Sequence, residues 1–333
     1  MRAFSCGVCQ SPLFFENSVC VSCGTALGFS REQRDIVPVD ADGRFVDDAG
    51  LVWHVCANLN LSSCTWLAPI EGGQCSACDL TRTRPADDDV EGLAHYPAAE
   101  AAKRHLVVEL DVLGFDVSGL VFDMLSSSSA AGENVVIGHA DGVITIDLAE
   151  GDDARRERIR HELGEPYRTL LGHLRHEVGH YLQSRLLTDP DASRPDLLGR
   201  CRELFGDESA DYQAEIDRHY AEGPPADWST SFITTYATMH PFEDFAETFA
   251  HYLHIADTCD TAAAHGLTTV DVGAFRFFSE LVRAVWVPLS VALNQINRSM
   301  GKDDVYPFVI PDPVLDKLDF VASLAGSVDA PGV

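Results

Sequence analysis

Positive charge is scarce in this chain of 333 residues: 24 Lys and Arg stand against 52 Asp and Glu, a formal net charge of −28. A surface this acidic repels polyanions, which disfavours nucleic-acid or anionic-membrane binding as its general business. Long apolar runs are missing too. No stretch of eighteen apolar residues occurs, and the longest candidate, Ala284–Leu293, is too short and contains Pro288. The amino terminus, Met1-Arg2-Ala3-Phe4-Ser5-Cys6, lacks the apolar segment of a secretory signal. The expectation is a soluble cytoplasmic protein with no membrane partner, where paired cysteines more often mean metal than disulfide. Internal repeats and low-complexity tracts are absent, apart from the four serines Ser126–Ser129.

What charge there is lies unevenly. Residues 1–84 hold six Arg, no Lys and nine acids, close to balance, whereas the remainder carries 18 basic against 43 acidic residues. That asymmetry, in a chain long enough for a substantial core, predicts two domains, residues 1–84 and residues 92–325. Asp79 to Glu91 reads as the linker. Its Thr81-Arg82-Thr83-Arg84-Pro85 and Asp87-Asp88-Asp89 suit a solvated connector better than a binding patch.

Eight of the ten cysteines fall in the first 78 residues. Cys6-x-x-Cys9 and Cys20-x-x-Cys23 have zinc-ribbon spacing, each pair offering two thiolates from a tight turn. Gly7 and Gly24 stand where such a knuckle needs small, permissive residues. Cys56, Cys64, Cys75 and Cys78 can form a second tetrahedral set, with His54 as a possible substitute ligand. Gly43–Val46 and Leu51–Val55 read as short strands ahead of it. A structural zinc at each cluster would hold together a segment too poor in apolar residues to fold alone. Cys201 and Cys259 read as buried small hydrophobes.

Leu170 to Tyr181 reads L-L-G-H-L-R-H-E-V-G-H-Y and contains His176-Glu177-x-x-His180. Leu170, Leu171, Leu174, Val178, Leu182 and Leu186 recur at helical spacing, with Glu165-Pro166 as a start signal and Thr188-Asp189-Pro190 as a stop. Residues four apart share a helix face, so the two imidazoles can grip one cation with Glu177 beside it. His173, one turn earlier, is expected to stack or hydrogen-bond beneath the site.

Around this helix the sequence predicts further elements. They are a helix over Tyr96–Leu113, a hairpin of Val135–Gly138 and Val143–Ile146 about Asp141-Gly142, and a helix over Ala154–Leu163. After it come helices over Leu197–Phe205, Ser209–Tyr220 and from Pro241, and a long final helix, Ala274–Met300, packing Phe277, Phe278, Leu281, Val285 and Leu289. Trp228–Pro241 reads as a loop leading into the Pro241 helix. The Pro241 helix carries Phe242, Phe245, Phe249 and Leu253 on one side, and the acids Glu243, Asp244 and Glu247. Acids on so apolar a helix demand partners. Glu243, 63 residues beyond His180, is the preferred third ligand, as in gluzincins, with Glu247 and Asp244 as alternatives. Glu247, one turn on, can reach the far nitrogen of a ligating histidine or can be a surface acid. His240, His251 and His254 read as a polar residue at the helix start and ordinary helix-face histidines.

Several long motifs carry a resemblance. They are F-S-C-G-V-C-Q-S-P-L-F-F-E-N-S-V-C-V-S-C-G, W-L-A-P, C-S-A-C-D-L-T-R-T-R-P, E-P-Y-R-T-L-L-G-H-L-R-H-E-V-G-H-Y, L-F-G-D-E-S-A-D-Y and H-P-F-E-D-F-A-E-T-F-A-H-Y-L-H. Over nearly its whole length the chain resembles a bacterial family of zinc-binding metallopeptidases with an amino-terminal zinc-ribbon segment. More distantly, Tyr236, Glu243 and Glu247 are similar to the lethal-factor type of gluzincin, which has a Tyr seven residues before the ligand Glu and a Glu four after it. That likeness implies an oxyanion-stabilising role for Tyr236. The fold implied is α+β: a small Cys-rich zinc-ribbon domain, then a mainly helical zincin-like metallopeptidase domain with a short antiparallel sheet. The activity implied is hydrolysis of a peptide or protein substrate, with one catalytic and two structural Zn2+ ions and Glu177 as general base. The rival reading is a zinc-stabilised binding scaffold. The Val143–Ile146 strand is the candidate for pairing an extended peptide.

Overall fold

A computed structural model describes residues 2–127, 138–140, 142–151, 169–188 and 195–325. By contact the chain forms two compact units, Met1–Val112 with Val117–Ile159, and Leu113–Asp116 with Arg160–Val333.

The first unit begins with seven short strands, too short to pair stably without the cysteine clusters between them. Phe4–Ser5 (β1) pairs with Pro12–Leu13 (β2), and Leu27–Ser30 (β3) with Asp35–Pro38 (β4), both antiparallel. Arg44–Val46 (β5), Val52–Val55 (β6) and Leu67–Ala68 (β7) make a three-stranded antiparallel sheet, and a single helical turn, Leu59–Ser62 (α1), precedes β7. Their buried side chains, Phe4, Leu13, Leu27, Phe29, Ile36 and Trp66, gather around the thiols, with the Phe29 and Trp66 rings 4.9 Å apart.

The stretch expected as a linker holds regular structure. Cys78–Leu80 is a 3-10 turn, Thr81–Thr83 is strand β8, and helix α2 runs from Val90 to Leu113. Asp89, one of the acids read as connector, accepts the Gly92 N–H at 2.9 Å and so caps that helix. The expected hairpin is present as Gly138–Ala140 (β10) and Val143–Asp147 (β11), while Val135–Ile137 lie outside the described residues. Two parallel strands join it, Val121–Leu125 (β9) and β8, giving a mixed sheet in the order β10-β11-β9-β8. The sequence reading did not include β9. Its Phe122 and Met124 are fully buried, as are Ile144 and Ile146 of β11, the two-residue period of one sheet face. The expected role of Val143–Ile146 is overturned: β11 is hydrogen-bonded on both sides, so it has no edge to offer a peptide.

Helix α2 brings charge into this interior. Glu100, Lys103 and Arg104 are each fully buried. Lys103 Nζ lies 2.8 Å from Glu100 Oε1 and also bonds the Thr81 hydroxyl, which donates to Glu100 at 2.6 Å. Arg104 pairs with Glu16 of the ribbon segment and donates to the Ser62 carbonyl at 3.3 Å. Dry charges survive only when paired.

The second unit is helical. Leu170–Gln183 (α3) is capped by Thr169, whose hydroxyl accepts the Gly172 N–H, and it runs on as a π turn over Ser184–Thr188. The expected start at Glu165-Pro166, the stop at Asp189-Pro190 and the helix over Ala154–Leu163 lie outside the described residues. Next come Pro195–Phe205 (α4) and Tyr212–Glu222 (α5), the latter capped by Asp211 rather than opening at Ser209. Pro241–Ala264 (α6) starts where its proline predicts. The long final helix is shorter than expected: Phe278–Leu281 (α7), a π turn over Val282–Trp286, then Val287–Ser299 (α8). Phe277 is largely exposed and Trp286 takes the buried place. One more helix, unforeseen, spans Asp312–Ser323 (α9) and packs on α6. Among the described residues no helix is long and apolar enough to cross a membrane.

The buried charges of α2 generate a stability prediction. Lys103→Met leaves the buried Glu100 with the Thr81 hydroxyl and Arg104 Nη1, 3.9 Å away, and should cost roughly 3 kcal/mol, whereas Lys103→Met combined with Glu100→Leu should recover part of that loss. Thermal unfolding of the two variants checks this; a single variant that melts with the wild type would show that the pair is not needed.

Candidate metal centre

Two helices build the centre, and a glycine lets them do so. A Cβ added to Gly179 of α3 would lie 2.9 Å from the Ala246 Cα of α6 and 3.2 Å from the Phe249 Cβ. The backbones touch there, and Leu174, Val178, Phe245 and Phe249 bury themselves on either side. This contact presents His176 and His180 to Glu243. His176 Nε2 stands 3.1 Å from His180 Nε2 and 3.1 Å from Glu243 Oε2, and His180 Nε2 is 3.4 Å from the same oxygen. Ligands at zinc's usual N and O distances on a tetrahedron stand roughly 3.3 Å apart, so this triangle fits such an ion. His176 and Glu243 are 8 % and 2 % exposed.

A second layer fixes these donors. Glu247 Oε1 accepts from His176 Nδ1 at 2.8 Å, which turns Nε2 toward the centre, and Glu247 Oε2 accepts the Thr234 hydroxyl at 2.8 Å. Thr234 Oγ1 also accepts the Ala237 N–H, so one hydroxyl ties the loop carrying Tyr236 to the orienting carboxylate. The Tyr236 ring lies 5.8 Å from that of His176. Glu177 is buried, with Oε1 3.1 Å from His173 Nε2, while its Oε2 has no hydrogen-bond partner among the described residues. On the far side the Tyr212 hydroxyl donates to Glu243 Oε1 at 2.6 Å.

The electrostatics match a cation site. Burial opposes charge on His176, yet Glu243 and Glu247 hold its pKa well above the usual imidazole range. Burial likewise opposes charge on Glu243, but His180 and His176 keep it well below the usual carboxylate range. For Glu177 burial is outweighed by His173 and the two other imidazoles, which lower its pKa. Metal binding displaces protons from such imidazoles.

The cysteine clusters close as two further donor sets. Sγ separations are 3.8 Å for Cys6–Cys23, 3.6 Å for Cys9–Cys20, 3.7 Å for Cys56–Cys78 and 3.6 Å for Cys64–Cys75. A disulfide needs about 2 Å, and thiolates around zinc stand roughly 3.8 Å apart. Cys9 and Cys23 are exposed, whereas all four thiols of the second set are buried. The permissive backbone positions differ from expectation: left-handed φ falls at Gly24 and, in the first knuckle, at Gln10 rather than Gly7.

Other candidates lie elsewhere. Asp244 pairs with Lys317 Nζ at 2.6 Å. His240 caps α6, accepting the Phe242 N–H through Nδ1. His251 bonds the Tyr306 hydroxyl at 2.7 Å, and His254 stacks on the Tyr306 ring. His54 is not in the second cysteine set, and Cys201 and Cys259 are buried and belong to none of the donor sets found among the described residues. Sequence reasoning missed Tyr212, Thr234 and Lys317. Tyr212 ends the quoted L-F-G-D-E-S-A-D-Y motif, but no spacing rule ties it to Glu243.

Two four-cysteine clusters and the His176, His180 and Glu243 triangle are three donor sets that could each hold a metal ion. Residues 92–324 match a family described as "Putative zinc-binding metallo-peptidase", and residues 3–89 match a zinc-ribbon domain family. The chain belongs to that peptidase family. It is 49% identical, over 98% of its own length and 96% of theirs, to uncharacterized proteins of Mycobacterium tuberculosis and Mycobacterium bovis. No solved structure matches it.

The close approach at Gly179 makes a prediction of unusual sign. Ala is the better helix former by up to about 1 kcal/mol, but its methyl group would meet backbone, and overpacking costs about 1–3 kcal/mol. Gly179→Ala should therefore lower the melting temperature and weaken metal retention at the histidine site. An unchanged or higher melting temperature would mean that the helices yield at no cost.

Proposed function

We propose that this chain is a cytoplasmic zinc metallopeptidase of the gluzincin type, acting on a peptide or protein substrate. His176, His180 and Glu243 hold one catalytic zinc; Cys6, Cys9, Cys20 and Cys23, and Cys56, Cys64, Cys75 and Cys78, hold two structural ones. When bound, the catalytic ion supplies Lewis acidity and an acidified water. The chain's own residues do the rest. Glu177 takes the proton of the attacking water on Oε2 and passes it to the departing amine, while His173 steadies Oε1. Glu247 keeps His176 in the right tautomer. Tyr236 donates its hydroxyl to the developing oxyanion.

The observation that carries this reading is the unpartnered, buried Oε2 of Glu177. A structural metal site has no use for a desolvated carboxylate oxygen beside its ligands, and leaving one without a partner is costly. A general base needs that oxygen unengaged.

Two measurements test the proposal. Protein purified without chelator should contain three zinc per chain, and His176→Ala with His180→Ala should remove one while leaving it folded; a wild-type count of one would end the three-site reading. Glu177→Gln should retain wild-type zinc while cleavage of an unfolded protein substrate falls by about 10² or more. Equal cleavage by that variant would assign the proton transfer to another group.

A further inference from the structure

Helix α5 has no buried residue, yet its first residue reaches the metal centre. Tyr212 is 42 % exposed, and its ring packs edge-on against His240, with centroids 5.1 Å apart. His240 caps α6 three residues before Glu243 turns inward, and its Nε2 donates to the Ala210 carbonyl at 3.2 Å. The turn before α5 and the start of α6 are therefore joined twice, through His240 and through the Tyr212 hydroxyl on Glu243 Oε1. The two oxygens of Glu243 are divided: Oε2 completes the triangle with the histidines, and Oε1 is engaged by Tyr212.

We infer that Tyr212 is a positioning residue that restricts Glu243 to a single donor oxygen. This rests on the reading of His176, His180 and Glu243 as a metal site. A carboxylate can bind a cation through one oxygen or two. With two, Glu243 would fill a position that a hydrolytic site keeps for water or substrate. A phenol O–H held at 2.6 Å on Oε1 competes for that oxygen with a short, charge-assisted hydrogen bond. A hydroxyl so engaged is also withheld from substrate, which separates the task of Tyr212 from that proposed for Tyr236.

The test reads coordination rather than turnover. Full-length protein with zinc-filled cysteine clusters is stripped at the histidine site with a chelator and refilled with Co(II), whose visible bands weaken as coordination number rises. His176→Ala with His180→Ala, treated identically, supplies the baseline for cobalt elsewhere. Tyr212→Phe keeps the ring against His240 and removes only the hydroxyl, so its difference spectrum should lose most of its visible intensity. Tyr220→Phe, on the same helix but 68 % exposed, should match the wild type. A Tyr212→Phe spectrum identical to wild type would overturn this inference alone. A wild-type spectrum no different from the double-histidine baseline would instead overturn the metal-site reading beneath it.

Discussion

The candidate metal centre depends on a contact that contains no functional group. Where Gly179 meets Ala246, the backbones of α3 and α6 approach too closely for any side chain between them. Helices carrying larger residues at a crossing settle 8–10 Å apart, according to what stands between them. Drawing the two together lets side chains as short as His and Glu bring three donor atoms within 3.4 Å of one another. The apolar residues on either side supply the driving force, and the glycine sets how far it acts. The chemistry is thus positioned by packing.

Around that contact a chain of hydrogen bonds sets the donors and the carboxylates beside them. Glu247 orients His176, Thr234 orients Glu247, His173 holds one oxygen of Glu177, and Tyr212 holds one of Glu243. In a low-dielectric interior such chains raise the penalty for misplacing any member. The unpartnered Oε2 of Glu177 stands out among the carboxylates bonded to the imidazoles, since Glu243 and Glu247 have both oxygens engaged. Lys317 extends the scheme outward by neutralising Asp244 and bonding the Ser231 carbonyl, so the segment that leads into Tyr236 is anchored from α9.

Much of this could be read beforehand because the signals are local. The C-x-x-C knuckles and H-E-x-x-H lie within single turns, and Pro241 announces the helix that carries Glu243 and Glu247. Most of what was misread or missed is non-local. Strand β9 escaped notice, although Ser118-Gly119 and Ser126–Ser129 bracket it, because five residues show little periodicity and their pairing comes from β8, 38 residues earlier or more, and from β11. The acids near Asp89 suggested a solvated connector, but one of them caps α2. Tyr212 and Glu243 are 31 residues apart, and only the tertiary fold brings the hydroxyl to the carboxylate. Charge asymmetry suggested a boundary near residue 84, and the family matches meet between residues 89 and 92; contact alone groups α2 and the mixed sheet with the cysteine-rich segment.

The two thiolate clusters differ in their relation to the rest of the first unit. Cys9 and Cys23 face solvent, and an ion there can exchange after folding is complete. The second cluster is fully enclosed, and Cys78 lies 3.9 Å from the buried carboxylate of Glu100 on α2. An ion in the second cluster can leave or enter only when α2 or the strands around it open, so its exchange should be slower than at the first cluster. Occupancy of the second cluster would then average the metal supply over a long period, while that of the first would follow the supply closely.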